Sequence, residues 1–338
     1  MASKQYISIV RLFNHLDIPT GEGFNLSRTK KQLQAEFGIA QGGFIEVDGF
    51  TYTRHDVFEE IDHPDFLKRF LFHRRLWNSP QLLQLIETNT ANFPGISVEF
   101  KNFTGNKDFD EFFSPYFGGP FNYLSRTFLA EHKLKETGNL LSFEDFLQPA
   151  EREEAFRPIR VFLDESIRLL RNINRENYDM MRPKISHWID SDWYIFFNNL
   201  PHEFYETKND ITTYLINIGV AVQKSHRRDC AAMSEQLVSL NDTPQSLREV
   251  ITSNHAIYTR ATVASGDGWS VSWRSIFWIG WILFMIFRGA NSCGGNSTSP
   301  DIKFIPYDYN KFKVSDSLFK SIKDTNFQRR IDSLLKRK

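Results

Sequence analysis

Apolar residues recur along most of this chain at helical spacing. Ile9, Leu12, Phe13 and Leu16 fall three or four apart, which predicts a first helix over residues 5–16. Residues 17–23 break it, and Asn25 or Ser27 can cap a second helix reaching Phe37. Phe44–Val47 and Phe50–Thr53 then flank Asp48-Gly49, a two-residue signal for a tight hairpin. Thr53 or Asp56 opens a further helix to Ile61, and prolines at 64 and 80 open helices reaching Trp77 and Thr88. Residues 89–118 are rich in Asn, Gly, Pro and Phe. They predict irregular chain with a short strand at 96–100.

A helix is expected over 121–135, stopped by Gly138, with Ser142 opening a small capping box at Ser142-Phe-Glu-Asp. Two longer helices have the clearest stripes. Ile159, Phe162, Leu163, Leu170 and Ile173 share one face, opposite Arg160, Asp164 and Arg168 at pairing distance. Ile211, Tyr214, Leu215, Ile218 and Val222 make the second stripe. The Trp- and Phe-rich stretch 178–199 is expected to pack against both. Pro244 opens a last helix to about Tyr258, and residues 261–268 are small enough to serve as a linker.

The most distinctive pattern lies beyond that linker. Residues 276–287 read IFWIGWILFMIF, with no polar side chain. Twelve helical residues cover roughly 18 Å, short of a hydrocarbon core of about 30 Å. Extension back to Trp269 gives nineteen residues and takes in Arg274 near one end, where it can snorkel to the headgroups. Trp269, Trp273, Trp278, Trp281, Phe284 and Phe287 are the apolar and interfacial anchors, and Arg288 closes the segment. The reading is a transmembrane or membrane-associated helix over 269–288, a single pass. A re-entrant segment and a buried core helix are the alternatives. The start of the chain lacks the apolar run of a signal peptide, which leaves the N-terminal body cytoplasmic. The tail 289–338 carries ten Lys and Arg against five Asp. Its end, with Leu318, Phe319, Ile322, Ile331, Leu334 and Leu335, forms a basic amphipathic stripe suited to an anionic bilayer surface or to its own domain.

Composition narrows the function classes. Lys plus Arg equal Asp plus Glu, so no global field draws the chain to nucleic acid. Cys230 and Cys293 are too few and too far apart for a disulfide scaffold or a zinc finger. Phenylalanine is abundant, with 32 residues, which suits a Phe-rich core or an aromatic recognition surface.

Candidate chemistry is sparse. No phosphate-cradling loop, dinucleotide fingerprint, zinc-protease or nucleophile-elbow motif is present. The pairs Gly118-Gly119 and Gly294-Gly295 read as turns. His226, Asp229 and Cys230 stand at i, i+3 and i+4, one helix face that could ligate zinc or activate a thiol. His187 and Asp190 share a face in H-x-x-D-x-D, ending at Asp192. Glu59, Glu60, Asp62, His63 and Asp65 form an acidic cluster, readable as a cation site or a solvated face. Phe72-His-Arg-Arg is a local basic patch. Residues 26–62, in helix, hairpin, helix order, resemble a winged-helix outline in element order only.

The expected protein is therefore mostly α: an irregular multi-helix domain over 1–260 with a small β-hairpin, a linker at 261–268, a membrane helix at 269–288, and a polar, basic tail. Its expected role is binding or scaffolding at a membrane, with the lipid bilayer and a protein as partners and no cofactor or nucleic acid. A metal- or thiol-dependent enzyme using His226, Asp229 and Cys230 is the alternative, and a nucleic-acid-binding regulator through 26–62 is another.

Overall fold

The computed structural model describes residues 5–190 and 192–263. Those residues are mostly helical, with one two-stranded antiparallel hairpin. None of their helices is long and apolar enough to cross a membrane. The expected anchor at 269–288, from Trp269, Trp273 and Arg274 through Trp278, Trp281, Phe284 and Phe287 to Arg288, lies outside the described residues, as do the tail and Cys293.

The N-terminal part follows the apolar pattern closely. Helix α1 (Ile9–His15) is capped by the Ser8 hydroxyl, which shortens the expected helix at its start. Helix α2 (Leu26–Ile39) is capped by Asn25. Strands β1 (Phe44–Val47) and β2 (Phe50–Thr53) pair with Val47 opposite Phe50, and Asp48 and Gly49 both take positive φ at the turn. Thr53 caps α3 (Arg54–Ile61). Helix α4 (Phe66–Trp77) then forms a shared wall. Phe66 and Phe70 close a small core with Ile9, Phe13, Leu33 and Val57, while Phe72 and Leu76 belong to the large core that follows.

The stretch expected to be irregular is instead helical. After α5 (Pro80–Thr88) come α6 (Phe93–Phe100), where a strand was expected, and α7 (Lys107–Ala130), the longest helix of the described chain. Pro115, Gly118, Gly119 and Pro120 all lie inside α7. An internal proline costs roughly 3 kcal/mol. Buried aromatic packing offsets that cost here. Phe109, Phe113, Phe117 and Phe121 repeat every fourth residue with neighbouring rings 5.2 to 5.6 Å apart. Phe103 stacks on Phe109 at 4.0 Å, and Phe100 on Phe146 at 4.1 Å.

Helix α7 stops at Ala130, before the expected end. A separate helix, α8 (Leu134–Leu141), then carries Gly138 within it. A Cβ on Gly138 would lie 2.6 Å from the Phe196 backbone nitrogen. The glycine therefore permits backbone contact with α12 (Trp193–Asn198) rather than ending a helix. Ser142 caps the C-terminal end of α8 and no helix N-terminus, because only a 3-10 turn, Glu144–Phe146, follows.

The rest is α9 (Pro149–Ala155), α10 (Arg157–Arg171), α11 (Tyr178–Met181), a 3-10 turn at Arg182–Trp188, α12 (Trp193–Asn198), α13 (Tyr205–Val222), α14 (Arg227–Val238) and α15 (Gln245–Val263). The expected stripes of α10 and α13 are buried, at Ile159, Leu163 and Leu170 and at Ile211, Leu215, Ile218 and Val222. Arg160 pairs with Glu203 at 2.7 Å rather than with Asp164 on its own helix. Of the stretch 178–199, expected to pack against both helices, the fully buried Trp188 meets Phe162 of α10 with ring centroids 5.9 Å apart, while α12 lies against α8 rather than α13.

Candidate functional site

Three polar assemblies stand out, and they differ in whether a ligand can reach them. The first is sealed. Glu60 on α3 turns inward, away from the exposed Asp62, His63 and Asp65, so the acidic cluster does not converge as a cation site. Arg69 of α4 grips its carboxylate with both arms, at 2.6 and 2.7 Å. His73 reaches Glu60 at 3.1 Å through Nε2, and Tyr6 reaches His73 Nδ1 at 2.9 Å. Tyr116 of α7 bonds both Arg69 and Glu60. Thus Phe72 and His73 of the expected basic patch are buried, and only Arg74 and Arg75 remain exposed.

The partners define the protonation states. Burial alone would raise the Glu60 carboxyl pKa, but hydrogen bonds from His73 and Arg69 hold it well below the usual range. Burial lowers the His73 pKa despite the pull of Glu60. A neutral His73 that donates from Nε2 to Glu60 and accepts the Tyr6 hydroxyl at Nδ1 satisfies both contacts. The arrangement has the residue types of a proton relay. Yet His73 and Glu60 are at most 3% exposed, so no substrate contacts them. It joins the two hydrophobic cores.

The second assembly contains the helix face nominated from sequence. Its three side chains diverge. His226, at the start of α14, pairs with Asp179 at 3.1 Å and lies against the Tyr178 ring. Asp229 is held by both arms of Arg182, at 2.6 and 2.9 Å, and by the Tyr178 hydroxyl at 2.9 Å. The Arg182 hydrogen bonds hold its carboxyl below the usual range. Cys230 is fully buried and donates to the Gly219 carbonyl at 3.3 Å. Burial, then the Asp229 charge, pushes its thiol up to about 12, which keeps it protonated and a poor nucleophile or metal ligand. Among the described residues no three His, Cys, Asp or Glu side chains gather into a metal-holding group. Asp229 fastens α14 to α11 and the turn that follows it.

The third assembly is open. A groove of about 520 Å³ runs between α7, α10 and the turn Arg182–Trp188. Helix α7 contributes Asn122, Arg126, Leu129 and Ala130, and α10 contributes Pro158, Val161, Phe162, Glu165, Ser166 and Leu169. Both sets follow the i, i+3, i+4 periodicity of one helix face. Apolar groups make the floor and Val161 is 50% exposed beside them. At one end His187 stacks flat on His132, with ring centroids 4.1 Å apart and planes 2° from parallel. His132 takes φ 54°, the turn that ends α7 and lays its ring there. Burial, then the nearby His132, pushes His187 down to about 3, so it is neutral at physiological pH. Its partner is this histidine rather than Asp190, which is exposed, while Asp192 pairs with Lys135 at 2.8 Å.

Sequence reasoning named His187 but missed the rest of this groove. Its lining comes from positions sixty residues apart, and the α7 face is hidden by the helix-breaking residues before it. Comparison with known proteins supplies no further assignment: no family model, curated protein or solved structure matches the chain.

Proposed function

We propose that this chain is a membrane-tethered binding protein whose helical body offers the α7–α10 groove to a ligand. The supporting observation is the contrast in access. The buried acid–base network and the Asp229 cluster satisfy their groups internally, whereas the groove leaves apolar surface and charged groups facing outward. Its volume and mixed lining match ordinary ligand sites, which are largely apolar with a few oriented polar groups. The tether rests on the apolar run at 276–287, and the body is read as cytoplasmic.

A photo-crosslinking residue at Val161 tests both parts, with one at Val98 as control. Val98, on α6, is 65% exposed and lies outside the groove lining. Illumination of the full chain in carbonate-washed native membranes is expected to give a discrete adduct from position 161 and none from 98. Deletion of residues 271–287 is expected to release the protein during the wash. Equal labelling from both positions, or none, contradicts the groove. Release of the full chain contradicts the tether.

A further inference from the structure

We infer that the groove takes a single-chain lipid with an anionic headgroup, an inference that rests on the groove being the binding site. Its charges are unequal in what they leave unsatisfied. Arg157 pairs with Glu154 at 2.7 Å, which spends one cation and one carboxylate. Arg126 on α7 and Lys184 on the following turn line the groove with no ion pair among the described residues, against the single remaining carboxylate, Glu165. An anionic head therefore finds two uncommitted donors.

The floor fits the other half of such a molecule. From Pro158 to Leu169 the α10 face is about 16 Å long, with Pro158, Val161, Phe162 and Leu169 as its apolar part and Glu165 and Ser166 between them. The walls are helices and a 3-10 turn, with no sheet edge to pair with an extended peptide. A flexible acyl chain needs only apolar contact along that face. A bilayer beside the body, as the apolar segment near the C-terminus implies, would supply lipids of this class.

The test is calorimetric titration of the purified full-length chain with dodecyl phosphate below its micelle threshold. Dodecanol and inorganic phosphate serve as half-ligands. Dodecyl phosphate is expected to bind saturably, with each half-ligand weaker by about tenfold or more. The double variant Arg126→Glu, Lys184→Glu is expected to weaken binding about tenfold, and Val161→Trp to abolish it. All three positions are exposed, so the thermal midpoint should move little and should be recorded beside each titration. Absent binding, equal binding of dodecanol, or binding indifferent to these variants overturns the lipid assignment. A Val161 crosslink to a protein segment that dodecyl phosphate fails to displace also overturns it, while leaving the groove as a binding site. Failure of titration and crosslink together removes both.

Discussion

Glu60→Ala is expected to destabilise the protein by about 3–5 kcal/mol, the usual cost of removing one partner from a buried ion pair. The carboxylate accepts from Arg69 twice, from His73 and from Tyr116. Alanine would leave a guanidinium, an imidazole and a hydroxyl without that acceptor in a site closed to water. For a body of this length the loss lowers the unfolding midpoint by on the order of 10 °C. Thermal unfolding of the full chain measures it, and an unchanged midpoint would show that the network is not a clamp between the cores. Acid should act through the same groups. Glu60 and His73 both have pKa values below their ordinary 4.5 and 6.5. Each therefore contributes stability that is fully present above its ordinary value and is lost as pH falls through the folded one. The wild type is expected to weaken from about pH 6.5 downward; Glu60→Ala should remove the part lost below about pH 4.5 and keep the part above it, because burial rather than Glu60 lowers the His73 pKa.

Phe109→Ala is expected to cost about 3–5 kcal/mol by leaving a cavity in the large core. Phe109 is fully buried and touches Phe72, Phe103, Phe112, Phe113 and Phe146. Each aromatic pair adds about 0.5–1.5 kcal/mol beyond area burial. Phe109→Leu keeps much of the volume and should cost less than half as much. Denaturant unfolding of both variants checks the ranking. Equal losses would mean that helix capping near Asn106, rather than the ring stack, sets the sensitivity of this position.

The same aromatic ladder explains where the sequence was legible. The α13 stripe could be read directly because Ile211, Leu215, Ile218 and Val222 keep helical spacing without a breaker, and all four are buried. The hairpin was legible because Asp48-Gly49 specifies its own backbone. Helix α7 was not legible, because Pro115, Gly118, Gly119 and Pro120 argue locally against the conformation that distant rings enforce. Glu60 presented a similar difficulty. Its neighbours are exposed acids, whereas its partner Tyr116 lies more than fifty residues further on, and Tyr6, which bonds its partner His73, lies more than fifty residues back. No local charge pattern distinguishes an inward carboxylate from a solvated one. His226, Asp229 and Cys230 show the converse. They share a helical face by spacing, but three separate neighbours, Asp179, Arg182 and Gly219, draw them apart.

The groove needed all of those placements at once. Arg126 falls where it does only because α7 continues through its prolines, and His132 meets His187 only because the chain turns left-handed after Ala130. Native mass spectrometry of the full-length protein, purified gently from cells, tests the central claim of a ligand groove most directly. The expected result is a discrete non-covalent mass on the wild type that is absent from Val161→Trp. The same mass on both proteins would place the ligand elsewhere and contradict the groove.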